Sequence, residues 1–498
     1  MIRAFIVSAV MFSLILIPTA CSKSDSNGGT TTLDAIWIAP NGSDSNPGTI
    51  SEPLKTIAKA KASAQTKDLD IYLVGGTYSE TQSISLTNGA SIYGGYSPVL
   101  SGGTRNRDLA TYQSAIDFSG CADCSITVGE STSGKNSTID GIEIAGSHVA
   151  ISVRDSSPTI TNCNISTAGG AELEYGIFLN PSAGKEASPT ISNNTIATGN
   201  TLLSNGVTEG IVFYAFETNS KVAPVIENNT ITAGRGGANS GGIVGYAQSG
   251  GQAYVTARGN TITAGTAGEE SIGIWIGAGP EATSFNDATI EGNTIIAGNI
   301  EGAAEYTTSS GLMARGFVGT LTVVNNFIAG GDNSTYSSGI YMDFTVNAKI
   351  YCNTILAGLG TTNTWVVSSL RNVTTDAQNN IICASGGSDT DGIYEWEGET
   401  PTLKNNLFCS NLHVLYEKYV SGALVPITTI GAVNAADPTY SGNITGNAGF
   451  VDAANNNYHI TAGSAAINGG LVLSSCPTDI DGTSRPTSGA TDIGADEL

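Results

Sequence analysis

Positive charge is scarce in this sequence. Its 498 residues include 20 Lys and Arg against 43 Asp and Glu, a formal net charge of -23 with a pI near 4.3. Nucleic-acid binding depends on Lys and Arg side chains that neutralise phosphates, so no nucleic acid is expected as a partner. The same balance argues against a polyanionic glycan held without a metal ion.

Histidine is scarce too, with three residues in the whole chain. His is the commonest general acid or base, so catalysis that depends on it is disfavoured. The apolar run at residues 4–17 follows Arg3 and is too short for an ordinary transmembrane span. It fits the apolar region of an export signal.

Charged residues of both signs make up only 13% of the chain, whereas Gly is abundant at 63 residues. This composition suits an all-β solenoid with tight corners and not a helical protein. One elongated domain is therefore favoured over several globular ones.

One short motif recurs between Ser157 and Cys409, most clearly as Pro-Thr-Ile-Ser-Asn-Asn-Thr-Ile-Ala-Thr-Gly at residues 189–199. Copies aligned on the second Asn-type position follow one another at intervals of 26 to 35 residues. A period in this range indicates stacked supersecondary units. The aligned positions are 163, 194, 229, 260, 293, 326, 353, 380 and 406.

Each copy is interpreted as one coil of three short strands and three corners. Asn193-Asn194 turns the chain, because Asn tolerates the left-handed conformation that such a corner requires. The fold class predicted is all-β, a single-stranded right-handed parallel β-helix with an N-terminal helical cap and coils about 4.8 Å apart. The residues expected inside are Ile191, Ile196, Ile226, Ile231, Ile290 and Ile295.

The export signal ends in Pro18-Thr-Ala-Cys21, which looks like the lipobox of bacterial lipoproteins. The resemblance implies cleavage before Cys21 and lipidation of that residue, although Pro18 stands where the pattern prefers Leu. Ser22 resembles the rule for outer-membrane sorting. We therefore expect a signal peptide at 1–20, a flexible tether at 21–34 and a lipid-anchored location at the bacterial outer membrane or cell surface. A plain secretory signal with an incidental Cys is the alternative.

Export permits disulfides among the seven other cysteines. Cys383 and Cys409 each stand three residues after the aligned Asn of successive coils, so they are expected to stack at a spacing compatible with a disulfide. Cys121-Ala-Asp-Cys124 lacks the context of a redox motif or a zinc site, which leaves a local disulfide or free thiols.

The run "APNGSDSNPGTISEPLKTIAKA…IYLVGGTYSE" at residues 39–80 resembles the opening of a bacterial family of right-handed parallel β-helix proteins. Their fold is that of the pectin-lyase-like superfamily. The closing run "GFVDAANNNYHITAGSAAINGG…DIDGTSRPTSGATDIGADEL" also matches the usual ending of such proteins. The resemblance covers nearly the whole mature chain and is specific for fold and weak for function.

Both open ends of a β-helix need caps, since exposed strand edges aggregate. A helix near residues 51–64, begun by Ser51 and Pro53, and the segment after about Val451 are expected to serve as caps. The expected organisation is an N-terminal cap with first coils at 35–136, central coils at 137–410, and C-terminal coils with a cap at 411–498.

Motifs of the superfamily's enzymes are absent: no local pectate-lyase motif matches, and Asn-Thr-Asp, Asp-Asp and Gly-His-Gly do not occur. This favours a non-enzymatic protein over a polysaccharide lyase or hydrolase. Arg315 and Asp343 are the candidate catalytic pair if the protein is an enzyme. The alternative for this pair is a surface ion pair of little energetic weight.

The strand after each variable loop reads Gly-Ile or Gly-Leu, as at Gly210-Ile211 and Gly273-Ile274. If the residue after each Gly faces inward, alternation sends aromatic residues outward in a column several coils long. Such a stripe suits the apolar faces of sugar rings, unless the variable loops fold over it and bury it. The expected glycan-binding residues are Phe178, Tyr214, Tyr246, Trp275, Tyr341, Tyr394 and Trp396.

Acidic residues gather in what we take to be the loops that enter this strand. Their oxygens would suit calcium as a cofactor, while solvated charge is the alternative for most of them. The candidate metal ligands are Glu174, Glu209, Glu270, Asp389 and Asp391. Glu395 points inward by strict alternation, which indicates either a register slip or irregular late coils. Together these features predict a surface-anchored β-helix lipoprotein that binds polysaccharide or another cell-surface component, or has a structural or adhesive role.

Overall fold

The computed structural model describes residues 35–67, 69–131, 134–248, 250–278, 285–302, 304–386, 389–397, 400–487 and 489–498. The predicted signal peptide, tether and Cys21 lie outside the described residues.

The chain is a right-handed parallel β-helix, which confirms the predicted fold class. Successive coils contribute strands to three long sheets, here called sheets 1, 2 and 3. Sheet 1 consists of Ala35–Ile38, Asp70–Val74, Ile92–Tyr96, Thr138–Asp140, Thr159–Thr161, Thr190–Ser192, Val225–Glu227, Gln252–Arg258, Phe285–Glu291, Thr320–Val324, Val346–Tyr351, Val373–Gln378 and Thr402–Lys404, with the short strands Glu186–Ala187 and Lys221–Val222 beside it.

Sheets 2 and 3 run alongside sheet 1. Sheet 2 consists of Ile84–Leu86, Ile126–Val128, Val149–Val153, Leu173–Leu179, Val207–Ala215, Asn239–Ala247, Glu270–Ala278, Thr308–Arg315, Ser334–Asp343, Gly360–Leu370, Thr390–Trp396, Val414–Val420 and Ala423–Ile427. Sheet 3 consists of Gly76–Ser79, Ser114–Asp117, Glu143–Ser147, Asn164–Thr167, Thr195–Ala197, Thr230–Thr232, Thr261–Thr263, Thr294–Ile296, Phe327–Ala329, Thr354–Ala357, Ile381–Ala384, Leu407–Cys409 and Ile444–Gly446.

The core is built from columns of β-branched side chains that stack in register from coil to coil. Ile196 pairs with Ile231, and Ile231 pairs with Ile262 of the next coil. All six Ile residues expected inside are at most 1% exposed. Burying one such side chain stabilises the fold by about 1.5–3 kcal/mol relative to leaving it exposed.

The corner between sheets 1 and 3 contains a ladder of buried Asn side chains. The amide Nδ2 of Asn229 donates to Oδ1 of Asn260 at 3.0 Å, and Asn260 donates to Asn293 at 2.9 Å. The residue before each rung has a positive φ, as at Asn193 (57°) and Asn228 (56°). The ladder runs through Asn194, Asn229, Asn260, Asn293, Asn326, Asn353, Asn380, Asn406 and Asn443.

A column of glycines allows sheet 2 to approach the core closely. A Cβ added at Gly210 or Gly242 would overlap the Cγ2 methyl of the sheet 3 isoleucine that lies opposite, Ile231 or Ile262. The glycine and the Ile after it therefore both face inward, which interrupts strict alternation. As a result, the residue before the glycine reaches the same outer face as the residue after the Ile.

The N-terminal helix starts later than the sequence suggested. It spans Ile57–Lys67, and the hydroxyl of Thr56 accepts from the backbone N–H of Lys59. Asp44 in turn accepts from the backbone N–H of Thr56, so the first turn is organised by Asp44 and Thr56 and not by Ser51. Ile57 is buried, while Ala58 is exposed.

The C-terminal end is closed by a different segment from the one expected. The antiparallel hairpin of Val414–Val420 and Ala423–Ile427 lies at the end of sheet 2, and helix Ile430–Ala435 buries Val433 in the main core. The segment after Val451 folds back along the outside of the coils. Two side-chain amides of the coils hold this segment: Asn379 donates to the carbonyl of Leu471, and Asn325 donates to the carbonyl of Thr478.

This terminal segment begins with the hairpin Phe450–Asp452 and Asn457–Ile460, joined by the 3-10 turn Ala453–Asn455. Ile493 and Ala495 then pack against Ile381 on the outer face of sheet 3. Within the described residues, no helix has the length and apolar character needed to cross a membrane.

Candidate functional site: an aromatic groove on sheet 2

The outward column predicted on sheet 2 pairs in register through eight coils, beginning with Phe178 and Val212. Val244 pairs with Trp275, Trp275 with Met313, and Met313 with Tyr341. The next coil places Ser368 in this column before Tyr394 follows. The sequence had not identified that coil as part of the series, because strand Gly360–Leu370 has no Gly-Ile pair at this point.

Phe178 and Trp275 of this column belong to a continuous run of rings, here called the aromatic run. Tyr246 and Trp275 stack with ring centroids 4.9 Å apart and planes 6° apart. Tyr214 and Phe216 stack at 4.6 Å and 8°. The Tyr246 and Trp275 side chains are half-buried, so part of each remains accessible. The members of the run are Tyr175, Phe178, Tyr214, Phe216, Tyr246 and Trp275.

A second group of rings lies further along the sheet. Trp365 stacks on Tyr394 at 4.5 Å and on Tyr336 at 5.9 Å, and Tyr394 is only 7% exposed. Trp396 stacks on Tyr419 at 4.2 Å. Tyr394 is thus largely enclosed by neighbouring side chains and offers little surface to a ligand.

Sequence reasoning missed Tyr175, Phe216, Tyr336, Trp365 and Tyr419. Tyr175 and Trp365 occupy the position directly before the glycine column, which strict alternation assigned to the interior. The inward glycine and its following Ile reverse that assignment. The residues directly before each glycine form a column in the sequence, and that column was the signal that could have identified Tyr175 and Trp365.

Two carboxyl groups lie beside the aromatic run. Glu209 occupies the position directly before Gly210 in strand Val207–Ala215, whereas Glu270 is the first residue of Glu270–Ala278 and pairs with Asn239. Both therefore belong to strands and not to the loops where the sequence had placed them. They line a cavity of about 180 Å³, here called the acidic pocket, together with Asn239, Val244, Tyr246 and Trp275.

Gly241 leaves the acidic pocket open. It pairs with Glu209 on one side and with Ile272 on the other. A Cβ at this position would lie 2.7 Å from a methyl of Val244 and 3.4 Å from Cγ of Glu209. Any larger side chain would therefore fill the space between the carboxyl group and the rings.

Burial dominates the electrostatics of the pocket. Burial, and to a smaller extent the negative charge of Glu270, raise the pKa of Glu209 to about 8. Burial also raises the pKa of Glu270, with a smaller opposing effect from Arg315 and a like-charge contribution from Glu269. Both carboxyl groups are partly shielded from water, which disfavours their charged forms.

Two acceptor atoms in the pocket are unused. Within the described part of the chain, no group hydrogen-bonds to Oε2 of Glu209 or to Oδ1 of Asn239. Buried polar atoms are normally paired, so such atoms call for an explanation. A ligand that donates hydrogen bonds would supply one.

The other acidic candidates lie at separate points of the structure. Glu174 is fully buried in strand Leu173–Leu179, and one of its oxygens lies 2.7 Å from Nδ1 of His148. Asp391 faces His413 at 3.9 Å, and its pKa is raised to about 6, mainly by burial and then by Glu417. Asp389 lies in the loop before strand Thr390–Trp396 and is exposed.

The five candidate metal ligands therefore do not converge on one calcium site. Among the described residues, the single group of three metal-ligating side chains within 4.8 Å of one another is His459, Asp481 and Asp496, in the C-terminal segment. Asp481 is exposed, and Asp496 also accepts from the backbone N–H of Ile460.

The candidate catalytic pair is part of a three-residue ion cluster. Asp343 is fully buried, with Arg315 3.4 Å away and Arg371 donating Nε to Oδ1 at 2.8 Å. Arg371 also pairs with the second carboxylate oxygen, and both guanidinium groups flank the ring of Phe344. The sequence had not found Arg371. A carboxylate held by two arginines is suited to fixing this turn and is poorly placed to accept a substrate proton.

Glu395 faces inward without a register slip. It pairs with Ser369 of the preceding coil, is 6% exposed and accepts a hydrogen bond from the hydroxyl of Tyr416. The late coils therefore keep their register, and a buried tyrosine satisfies the unexpected carboxyl group.

Cysteines pair at two places. Cys383 and Cys409 lie one above the other on sheet 3 with Cα atoms 4.9 Å apart and are joined in the structure, as are Cys121 and Cys124. Cys163, Cys352 and Cys476 are free and buried. Cys163 occupies the foot of the Asn ladder, where its N–H donates to Asn194.

A larger cavity, of about 740 Å³, lies over the outer face of sheet 3 beneath the C-terminal hairpin. Asp332 is the one charged residue that lines it, and small, amide and apolar residues make up the rest. It lacks the stacked rings and the paired carboxyl groups of the acidic pocket, so the groove on sheet 2 is the stronger candidate site.

The coils and the groove together define the class: this is a right-handed parallel β-helix with an aromatic groove on one outer face. A family model described as "Protein of unknown function (DUF1565)" matches residues 40–282, a range that includes the aromatic run and the acidic pocket. Comparison with curated proteins finds no significant match.

Two solved structures are similar to most of this chain. The pectate lyase Pel9A is 13% identical, with 93% of this chain and 97% of that chain covered and a TM-score of 0.45. The catalytic unit of a thermostable GH87 alpha-1,3-glucanase from Streptomyces thermodiastaticus strain HF3-3 is 17% identical, with 73% and 64% covered and a TM-score of 0.40.

Proposed function

We propose that this protein binds a polysaccharide along the aromatic groove of sheet 2. The observation that carries the proposal is the stacked, half-buried pair Tyr246 and Trp275, which lines an open pocket on the outer face of rigid coils. Aromatic rings offer apolar faces to sugar rings, and their phenol and indole groups add polar contacts. Because the run crosses successive coils, the groove suits an extended chain and not a single sugar.

The rigidity of the coils supports this proposal. The strands that carry Tyr214, Tyr246 and Trp275 pair in register, so their side chains are held at fixed spacing before a ligand arrives. A preorganised surface loses little conformational entropy on binding. The four coils from Tyr175 to Trp275 therefore present their rings in the same arrangement whether or not a glycan is present.

The protein is further proposed to act at the bacterial outer membrane or cell surface, anchored by a lipid on Cys21. The support is the run Pro18-Thr-Ala-Cys21 after an apolar segment. Mass spectrometry of the mature N-terminus should show an acylated Cys21. An unmodified N-terminus, or cleavage at another residue, would refute the anchor without affecting the groove.

A glycan array tests the binding function. The Tyr246→Ala/Trp275→Ala double variant should keep its melting temperature to within a few degrees and lose the glycan signals of the parent protein. Tyr306→Ala is the matched control, since Tyr306 is 69% exposed and lies in a loop. A double variant that melts far below the parent, with unchanged glycan binding, would show that these rings only support the fold.

Glycoside hydrolysis is a second candidate function, favoured by the two carboxyl groups of the acidic pocket. Many glycosidases use one protonated and one ionised carboxyl group across the scissile bond. With a pKa raised to about 8, Glu209 is protonated at neutral pH and could donate a proton to a leaving oxygen, while Glu270 is the second carboxyl group.

Product analysis separates hydrolysis from binding. A polysaccharide retained by the array should release new reducing ends when incubated with the protein at a concentration that saturates binding, and Glu209→Gln should abolish this release. Retention of the polysaccharide at full length by the parent protein would leave binding as the function.

A further inference from the structure

The acidic pocket contains more acidic groups than a neutral sugar requires. Glu209 is 7% exposed, Glu270 lies close enough to raise its pKa, and Asn239 adds an unpaired carbonyl oxygen. All three groups offer acceptor atoms to the cavity. Buried carboxyl groups are costly to ionise unless a positive partner accompanies them.

Among the described residues, no cation is dedicated to these carboxyl groups. Arg315 is the cation that acts on Glu270, and it is also paired with Asp343 at 3.4 Å. The remaining groups that act on Glu209 and Glu270 are the acidic Glu269 and the neighbouring phenols Tyr175 and Tyr214. A positive charge that would allow Glu209 to ionise has to come from a ligand.

The lining of the pocket specifies the kind of cation. An ammonium group carries three hydrogen-bond donors and no acceptor, which matches the unused oxygens of Glu209 and Asn239. The faces of Trp275 and Tyr246 attract cations as well as sugar rings. The volume of about 180 Å³ is below the range of about 300–1,000 Å³ typical of pockets for drug-sized ligands. It therefore suits one substituted sugar unit.

We propose that the acidic pocket recognises the protonated amino group of a 2-amino-2-deoxy sugar unit within the bound polysaccharide, with Glu209, Glu270 and Asn239 as acceptors. This inference rests on the proposed polysaccharide-binding function and adds the class of sugar to it. The net charge of -23 also favours an amino-sugar polymer as the ligand, because it attracts polycationic chains at long range.

Calorimetric titration with two probes tests the proposal. A β-1,4-linked glucosamine hexamer carries free amino groups, and the N-acetylglucosamine hexamer has the same backbone without them. At pH 6 and about 0.15 M salt, where charges beyond about 8 Å are screened, the parent protein should bind the amino form at least about tenfold more tightly. The Glu209→Gln/Glu270→Gln variant should lose this preference.

Controls separate the pocket from general electrostatics. Glu52→Gln removes an exposed carboxylate from the N-terminal region and should keep the preference. A lysine hexamer should bind far more weakly than the glucosamine hexamer. Equal binding of the lysine hexamer, or loss of preference in Glu52→Gln, would show that the overall charge is responsible and would overturn the proposal.

Two further results distinguish this proposal from the function on which it rests. If both hexamers, or other neutral glycans of the array, bind equally well, the amino-sugar inference is wrong and polysaccharide binding stands. If the array and both hexamers show no binding, both are wrong. Intact folding of the double Gln variant is checked by its melting temperature, which the loss of two buried acids should not lower.

Discussion

Glu209 combines a buried carboxyl group with an open cavity, and its environment determines its charge. Because burial raises its pKa to about 8, the folded protein holds this proton at neutral pH, whereas the unfolded chain releases it above about pH 4.3. Between these values the folded state binds more protons than the unfolded state, so this residue makes stability fall as pH rises. A side chain that costs stability at neutral pH is more easily explained by a binding role than by a structural one.

Because Glu209 makes stability fall as pH rises, the stability of the Glu209→Gln variant relative to the parent should depend on pH. Gln does not titrate, so the variant should gain melting temperature relative to the parent, and the gain should be larger at pH 8.5 than at pH 5. Thermal melts across this range measure it, with Glu52→Gln as an exposed control. A difference that does not change with pH would mean that Glu209 is ionised in the folded protein throughout.

At the scale of one element, the Asn ladder holds each corner between sheets 1 and 3. Oδ1 of Asn260 accepts from both the backbone N–H and Nδ2 of Asn229, and its own Nδ2 donates to the carbonyl of Ile226. These groups are buried, so water does not replace a lost partner. The ladder therefore ties neighbouring coils together through side chains as well as through the strands.

Removing one rung should be costly. Asn260→Ala leaves buried groups of two coils unpaired, at about 1–3 kcal/mol each, and the melting temperature should fall by several degrees. Asn455→Ala, at an exposed residue of the 3-10 turn, is the control. An Asn260→Ala variant as stable as this control would show that the ladder contributes nothing beyond the strand pairing.

The pairing of Cys383 with Cys409 is also a prediction about adjacent elements. Peptide mapping without reductant should recover residues 383 and 409 in one cross-linked fragment. Cys163→Ser changes a buried thiol elsewhere and should leave that fragment unchanged. Two free thiols at 383 and 409 would refute the bond while leaving the stacking of the coils intact.

The elements differ in how far their sequence revealed them. The Ile and Asn positions of each repeat were sufficient to predict the strands of sheets 1 and 3, since β-branched inward residues and left-handed corners leave a direct pattern. Sheet 2 was harder, because the inward Gly-Ile pair breaks alternation and sends Glu209, Tyr175 and Trp365 to the outer face. The return of the C-terminal segment along the coils depends on long-range contacts, such as that of Asn379 with Leu471, which no local pattern reveals.

At the scale of the whole molecule, the coils form a long rigid support for a groove on one face. The aromatic run and the acidic pocket both lie on sheet 2, while the C-terminal segment covers the outer face of sheet 3. The central claim is that polysaccharide binds in that groove, next to Trp275.

Fluorescence of Trp275 tests this claim most directly. The protein has four Trp residues, and replacing Trp37, Trp365 and Trp396 with Phe leaves Trp275 as the single reporter. Titration with an oligosaccharide of a glycan that the array retains should shift its emission saturably and protect it from iodide quenching, because a sugar covers the ring. Saturable binding of that oligosaccharide with unchanged emission and unchanged quenching of Trp275 would place the glycan elsewhere and contradict the account.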